Sequence, residues 1–148
     1  HSVTTYSDFT GVIMSIHEKI KKLLIVDDDI DLLEQHKMLM ESKGFKVVTA
    51  ESGKQGYDVF LNEKPDAAIV DLIMEESDSG FVLCHRIKRT EYGKKIPVFM
   101  LTSATYETGF KFSAATDEEK EWIKCDGIIN KPVVVEELLQ KLENFYSK

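Results

Sequence analysis

Asp27, Asp28 and Asp29 follow the apolar run Leu23-Leu24-Ile25-Val26 without a break. Adjoining carboxylates repel one another and resist removal from water. A sequence tolerates that cost most readily where a divalent cation neutralises it, and hard oxygen donors of this kind suit Mg²⁺ or Mn²⁺. A single acid, Asp71, ends a second apolar run, Ala67-Ala68-Ile69-Val70; Thr102 and Ser103 end a third, and Lys131 follows a fourth. Carboxylates with a metal ion, a hydroxyl and an ammonium make a site for a phosphoryl group, whose oxygens the cations neutralise and the hydroxyl hydrogen-bonds. A carboxylate can also serve as nucleophile and form an acyl phosphate. Asp71, alone on its strand rather than one of a crowded set, is the best candidate for that role.

These residues lie far apart in the chain, so the elements between them must bring them together. Short apolar runs without alternation read as strands buried on both faces: Leu23–Asp27, Lys46–Ala50, Ala67–Asp71, Pro97–Thr102 and Asp126–Asn130. Helical patterns separate them. One runs from Ile30 to Lys43 with an apolar stripe through Ile30, Leu33 and Met40, and Gly44 stands where a C-terminal cap is expected. A second starts at Ser52-Gly53-Lys54-Gln55 and places Tyr57, Phe60 and Leu61 on one face. A third spans Phe81–Arg89, and the last Val134–Phe145. Thr105–Lys124 is less regular, and its acidic stretch Asp117–Glu121 predicts a short or distorted fourth helix. Repeated βα units of this kind predict an α/β fold, an open parallel sheet with helices on both faces. Ligands of such sheets bind outside the carboxyl ends of the strands, where all the candidate residues fall.

The chain has 148 residues, 43% of them apolar and 30% charged, as expected of one globular domain. A net charge of −7 argues against a general nucleic-acid surface, which should be basic. No apolar stretch approaches the roughly 20 residues of a membrane span, and the start lacks the order of a secretory signal. Cys84 and Cys125 form neither a metal-type pair nor a disulfide framework, so a reducing, cytoplasmic setting is expected. Residues 1–13 are polar and turn-rich. They read as a native lead-in or, the preferred reading, as an extension ahead of a natural start at Met14, which makes residues 1–21 a leader and 22–148 the domain.

The blocks LLIVDDD, KPDAAIVDLIM, PVFMLTSA and DGIINKP occur in this order across Lys22 to Lys148. In this the chain resembles receiver domains of the two-component response-regulator family. The resemblance implies a (βα)5, flavodoxin-like sheet of strand order 2-1-3-4-5. It implies that Asp27 and Asp28 are the acidic pair, with Asp28 the more direct Mg²⁺ ligand, and that Asp71 is the phosphoacceptor and a further ligand of the metal. It further implies that the carbonyl of Ile73 faces the metal, that Thr102 is the switch hydroxyl and Lys131 the phosphoryl-binding lysine, and that the Lys131–Pro132 bond is cis.

Five features depart from the family pattern. Glu75 replaces the usual proline after Asp71, and the loop to Gly80 is one residue longer. Ile128 stands where an aromatic switch residue is usual, and the segment between Thr102 and Lys131 is several residues longer. Ile73, finally, is apolar where many receivers are polar. It is expected to screen an acyl phosphate from water, and an unchanged phosphoryl lifetime in Ile73→Asn would count against that role.

Plainer readings compete for several residues. Asp27, Asp29 and Asp31 imitate the first ligands of an EF-hand loop, but Leu32 and Met38 occupy its required Gly and Glu positions. Asp29 is expected only to cap the following helix, and Ser103 only to finish a strand. His17, His36 and His85 have no ligand spacing and read as inert exposed histidines. Cys84 and Trp122 read as packing residues.

The function expected is that of a Mg²⁺-dependent phosphoacceptor switch rather than an enzyme that turns over a substrate. It would be charged by a histidine kinase or histidine phosphotransfer protein and read by a downstream protein, without direct nucleic-acid contact or membrane insertion. With no output domain after the last helix, a stand-alone receiver or one cut from a longer protein is expected. The alternatives are a haloacid-dehalogenase-like phosphatase, which would use the Asp27-x-Asp29 pair, and a receiver-like binding module that works without phosphorylation.

Overall fold

The computed structural model describes residues 6–72, 79–102 and 126–147. The expected irregular helix within 105–124, the loop containing Ile73 and Glu75, and Ser103, Trp122 and Cys125 lie outside them. Along the described chain α1 (Tyr6–Lys19) leads into β1 (Lys22–Val26), α2 (Ile30–Ser42), β2 (Lys46–Ala50), α3 (Gly53–Glu63) and β3 (Ala67–Asp71). Then come α4 (Ser79–Arg89), a 3-10 turn (Gly93–Lys95), β4 (Val98–Thr102), β5 (Gly127–Asn130) and α5 (Val135–Tyr146). The strands form one parallel sheet ordered β2-β1-β3-β4-β5, as the sequence predicts.

Burial follows position in the sheet. Every residue of the inner strands β3 and β4 is buried, whereas the edge strands β2 and β5 carry exposed residues. Because side chains alternate across a strand, each inner strand feeds two cores. Leu23, Ile25, Ile69, Phe99 and Leu101 pack with Ile16, Leu33, Met40, Leu138 and Leu142 under α1, α2 and α5. Leu24, Val26, Val70, Val98 and Met100 pack with Phe60, Leu83 and Ile87 under α3 and α4. Each such side chain contributes about 1.5–3 kcal/mol when fully buried, so the continuous apolar runs are the main source of the fold's stability.

Local signals set the element ends. Asp29 caps α2 by accepting the Leu32 N–H at 3.1 Å, and Ser52 caps α3 by accepting that of Gln55 at 3.1 Å. Gln55 reaches back to accept the Glu51 N–H at 2.7 Å, a variant of the reciprocal capping box. Gly44 follows α2 with φ +96°, a conformation that costs glycine little. A side chain there would also press on the His17 ring.

Three expectations about the elements change. Leu61 does not share the core-facing side of α3 with Phe60 and the half-buried Tyr57, but is exposed. The stripe of α2 is Leu33, His36 and Met40, while Ile30, in the first turn, is exposed. The polar residues before Met14 are not a run of turns, since α1 begins at Tyr6. Ile16 and Ile20 are fully buried, and once such a docked segment has nucleated a helix, extending it is cheap. No described helix is long and apolar enough to cross a membrane.

Candidate functional site

The carboxyl ends of β1, β3, β4 and β5 meet in one cleft. Asp27 continues β1, its N–H bonded to the Ala50 carbonyl at 3.1 Å, and it is fully buried. Asp71 ends β3 at 3% exposure and Thr102 ends β4 at 2%. Thr102 lies beside Asn130 in the parallel register, and its carbonyl accepts the Lys131 N–H at 2.8 Å. Lys131 is thereby held where β5 leaves the sheet. Its ammonium bridges two acids, 2.9 Å from Asp71 Oδ1 and 3.2 Å from Asp27 Oδ2. The Lys131–Pro132 peptide is cis, as expected from the resemblance.

Asp27, Asp28 and Asp71 each place a carboxylate oxygen within 4.8 Å of the other two; Asp28 is exposed and the others buried. Asp27 Oδ1 accepts the Asp29 N–H at 2.9 Å. The buried Oδ2 has the ion-pair contact to Lys131 but, among the described residues, no donor aligned for a hydrogen bond. An under-satisfied buried carboxylate oxygen facing two further carboxylates is a donor set suited to a hard divalent cation. Of the expected metal ligands, Asp27, Asp28 and Asp71 are thus brought together, and the Ile73 carbonyl lies outside the described residues.

Electrostatics follows from this crowding. Burial pushes the Asp71 carboxyl up; the Lys131 hydrogen bond opposes this and the Asp27 charge adds to it, leaving it at about 6. Burial alone would lower Lys131, but the hydrogen bond and charge of Asp71, joined by Asp27, outweigh it and hold the ammonium above its ordinary value. The lysine is therefore a cation wherever the acids are ionised. Gly80, in the first turn of α4, lies so close to the end of β3 that a Cβ there would collide with the Asp71 carbonyl oxygen.

One polar residue beside this cleft was not legible as part of it. His36 is 2% exposed on the inner face of α2, and its Nε2 accepts the Val133 N–H at 3.2 Å. Burial lowers its basicity, Asp27 raises it and Lys131 lowers it, with a net lowering. The available signal was its spacing, since 33, 36 and 40 lie on one helical face. His17 is also engaged, with its Nε2 2.8 Å from the Lys43 carbonyl and its ring 4.4 Å from that of Phe45.

Known proteins agree with this geometry. The chain is 34% identical over 123 residues to the heme response regulator HssR of Staphylococcus haemolyticus, spanning 82% of this chain and 50% of that protein. It is 30% identical over 125 residues to the phosphate regulon transcriptional regulatory protein PhoB of Pseudomonas aeruginosa, spanning 83% and 50%. The chain thus spans about half the length of these relatives. A putative response regulator from Chloroflexus aurantiacus superposes with a TM-score of 0.67 at 26% identity, over 88% of this chain and all of that one. The chemotaxis response regulator CheY4 of Vibrio cholerae gives 0.67 at 25% identity, over 84% and 98%. Residues 23–143 match the profile of the response regulator receiver domain, and with the parallel 2-1-3-4-5 sheet they make this chain a member of that family of two-component signalling domains.

Proposed function

We propose that the domain is a phosphoacceptor switch in which Asp71 takes a phosphoryl group from the phosphohistidine of a histidine kinase or phosphotransfer protein. The observation that carries this reading is the Lys131 ammonium bridging Asp71 and Asp27 beside three convergent carboxylates. An Asp71 carboxylate oxygen attacks phosphorus, the P–N bond to the donor imidazole breaks, and an acyl phosphate forms on Asp71. Asp27, Asp28 and Asp71 would hold Mg²⁺, with the Ile73 carbonyl as a further ligand by family resemblance. When bound, the ion supplies positive charge to the phosphoryl oxygens. Lys131 shifts its ammonium from the bare carboxylate to a phosphoryl oxygen, and Thr102 donates its hydroxyl to another. Those movements bias a two-state equilibrium of the surrounding surface, which a partner protein reads. The chemistry is confined to the domain's own carboxylate, in a reducing cytoplasm, with no separate substrate turned over.

Family membership favours this reading over a phosphatase with Asp27 as nucleophile. The burial of Asp27 Oδ2 beneath Lys131 favours it as well. The test is intact mass after incubation with Mg²⁺ and acetyl phosphate. The expected result is one added phosphoryl group in the parent, absent without Mg²⁺ and absent from Asp71→Asn. No addition in the parent, with Mg²⁺ binding shown separately, would instead indicate a binding module that works without phosphorylation.

A further inference from the structure

We propose that His36 is a positioning residue for Lys131, acting through the backbone of Val133; this rests on the phosphoacceptor reading of the site. The main chain around the lysine has few anchors. The Lys131 N–H is bonded to the Thr102 carbonyl at 2.8 Å. Pro132 has no N–H to offer. The next donor, the Val133 N–H, finds its acceptor on a side chain 97 residues earlier, His36 Nε2 at 3.2 Å. After it, Val134 caps α5 without any side-chain hydrogen bond. Lys131 is therefore held on one side by the end of β4 and on the other by the inner face of α2.

Leucine at position 36 would suit the apolar stripe of Leu33 and Met40, and the histidine is buried as deeply as they are. An imidazole there carries a cost. Accepting at Nε2 places the ring proton on Nδ1, and that atom is buried without a hydrogen-bond partner among the described residues. What the ring provides in return is an acceptor for Val133, which an apolar side chain would leave as a buried, unpaired donor. Relief of such a donor requires the turn to move, and the turn carries Lys131. Val133 is itself buried in the core that contains Leu33, so the hydrogen bond and the packing tie the same two segments together.

α2 starts from the acidic turn, with the Asp29 N–H bonded to Asp27 and the Asp29 side chain capping the helix. Two turns along the same helix, His36 holds the loop that carries the cation. One rigid element thus sets the spacing between Asp27 and the ammonium that neutralises it, and by extension the place of the ammonium beside Asp71. The ring itself contacts neither the phosphoryl group nor the metal ligands in this scheme.

The test combines ¹⁵N NMR with phosphoryl uptake from acetyl phosphate, using the parent protein, His36→Leu and His36→Gln, whose amide oxygen can take the place of Nε2. In the parent, a scalar coupling across Val133 N–H···Nε2 is expected, along with a protected Val133 amide. His36→Leu should lose that protection and slow uptake at saturating donor by about tenfold, the effect of roughly one buried hydrogen bond. Its Mg²⁺ affinity should stay within about threefold, because the carboxylates are untouched. His36→Gln should restore both protection and rate, which a merely space-filling role would not predict. An absent coupling, or His36→Leu taking up phosphoryl at the parental rate, overturns the proposal. Should His36→Leu fail to fold, the coupling and His36→Gln decide, and loss of Val133 protection in the latter overturns it too. A parent with the coupling intact but no uptake overturns the phosphoacceptor reading and leaves the positioning of Lys131 supported.

Discussion

Asp71 carries two demands that conflict. In the proposed phosphoacceptor role it must be ionised, yet burial and the neighbouring Asp27 hold its carboxyl near 6. In the folded, metal-free protein the proton is therefore bound more tightly than in the unfolded chain, where an aspartate titrates near 3.8. The stability associated with that proton is fully present below about 3.8 and is lost as pH rises through about 6. Asp71→Asn, which stays neutral, lacks this loss. In EDTA, the stability of the parent relative to Asp71→Asn should fall between pH 4.5 and pH 7, as measured by urea unfolding. A constant difference across that window would count against the raised value. Mg²⁺ should reverse the loss at pH 7 and do little at pH 4.5, since its ligands must be deprotonated. The carboxylates and the lysine were legible because acids at the end of apolar strands have few other uses. His36 was not, since a lone histidine carries no motif, and only the three-dimensional path of Val133 shows what it bonds.

The strands and helices were legible almost to the residue where local chemistry marks them. β2 and β3 run as their apolar composition indicates, and Asp29 and Ser52 cap their helices as residue type dictates. What sequence could not show is how an edge strand with little apolar content is fastened. β5 has a half-exposed start, and Ile128, in the place of the usual aromatic, is only half-buried beside Met100. The fastening lies in Asp126, whose Oδ2 accepts both the Val98 N–H at 2.8 Å and the Lys88 ammonium at 2.9 Å. Lys88 also donates to the Ile96 carbonyl at 2.8 Å, so α4, β4 and β5 meet at one ion pair. Both partners are largely shielded, with side chains 14% and 19% exposed. Removing one leaves the other's charge with little water to receive it. Asp126→Ala should therefore cost about 2–3 kcal/mol in urea unfolding. Glu63→Ala, which breaks the more exposed pair with Lys22 at 3.0 Å, should cost under about 0.5 kcal/mol. Equal costs would show that Asp126 is not the fastening of β5.

Across the whole domain, the candidate site and the anchoring of α1 sit at opposite edges of the sheet. The cleft of Asp27, Asp71 and Lys131 lies at the carboxyl ends of the strands. α1 sits at the other edge, where Asp66 accepts the N–H groups of Lys21 and Lys22 at 3.0 Å each and fixes the chain as it enters β1. His17 of α1 holds the end of α2 through Lys43, and the Lys19 ammonium lies 5.0 Å over the Tyr146 ring at the end of α5. Between these contacts Ile16 and Ile20 are fully buried against the α2 and α5 core. That α1 completes this core was hidden by its polar first half, which no tertiary partner in the sequence explains. Ile16→Ala leaves a cavity that rigid neighbours fill only in part, and should cost about 2–4 kcal/mol. Because the ion pairs that set the site, Lys131 to Asp27 and to Asp71, involve no residue of α1, phosphoryl uptake under folding conditions should stay within about twofold of the parent. Urea unfolding and acetyl phosphate uptake on the same preparation separate the two quantities. A variant that loses uptake in step with stability would mean that the far edge of the sheet helps set the geometry of Asp71 and Lys131, and that α1 belongs to the switch rather than to its support.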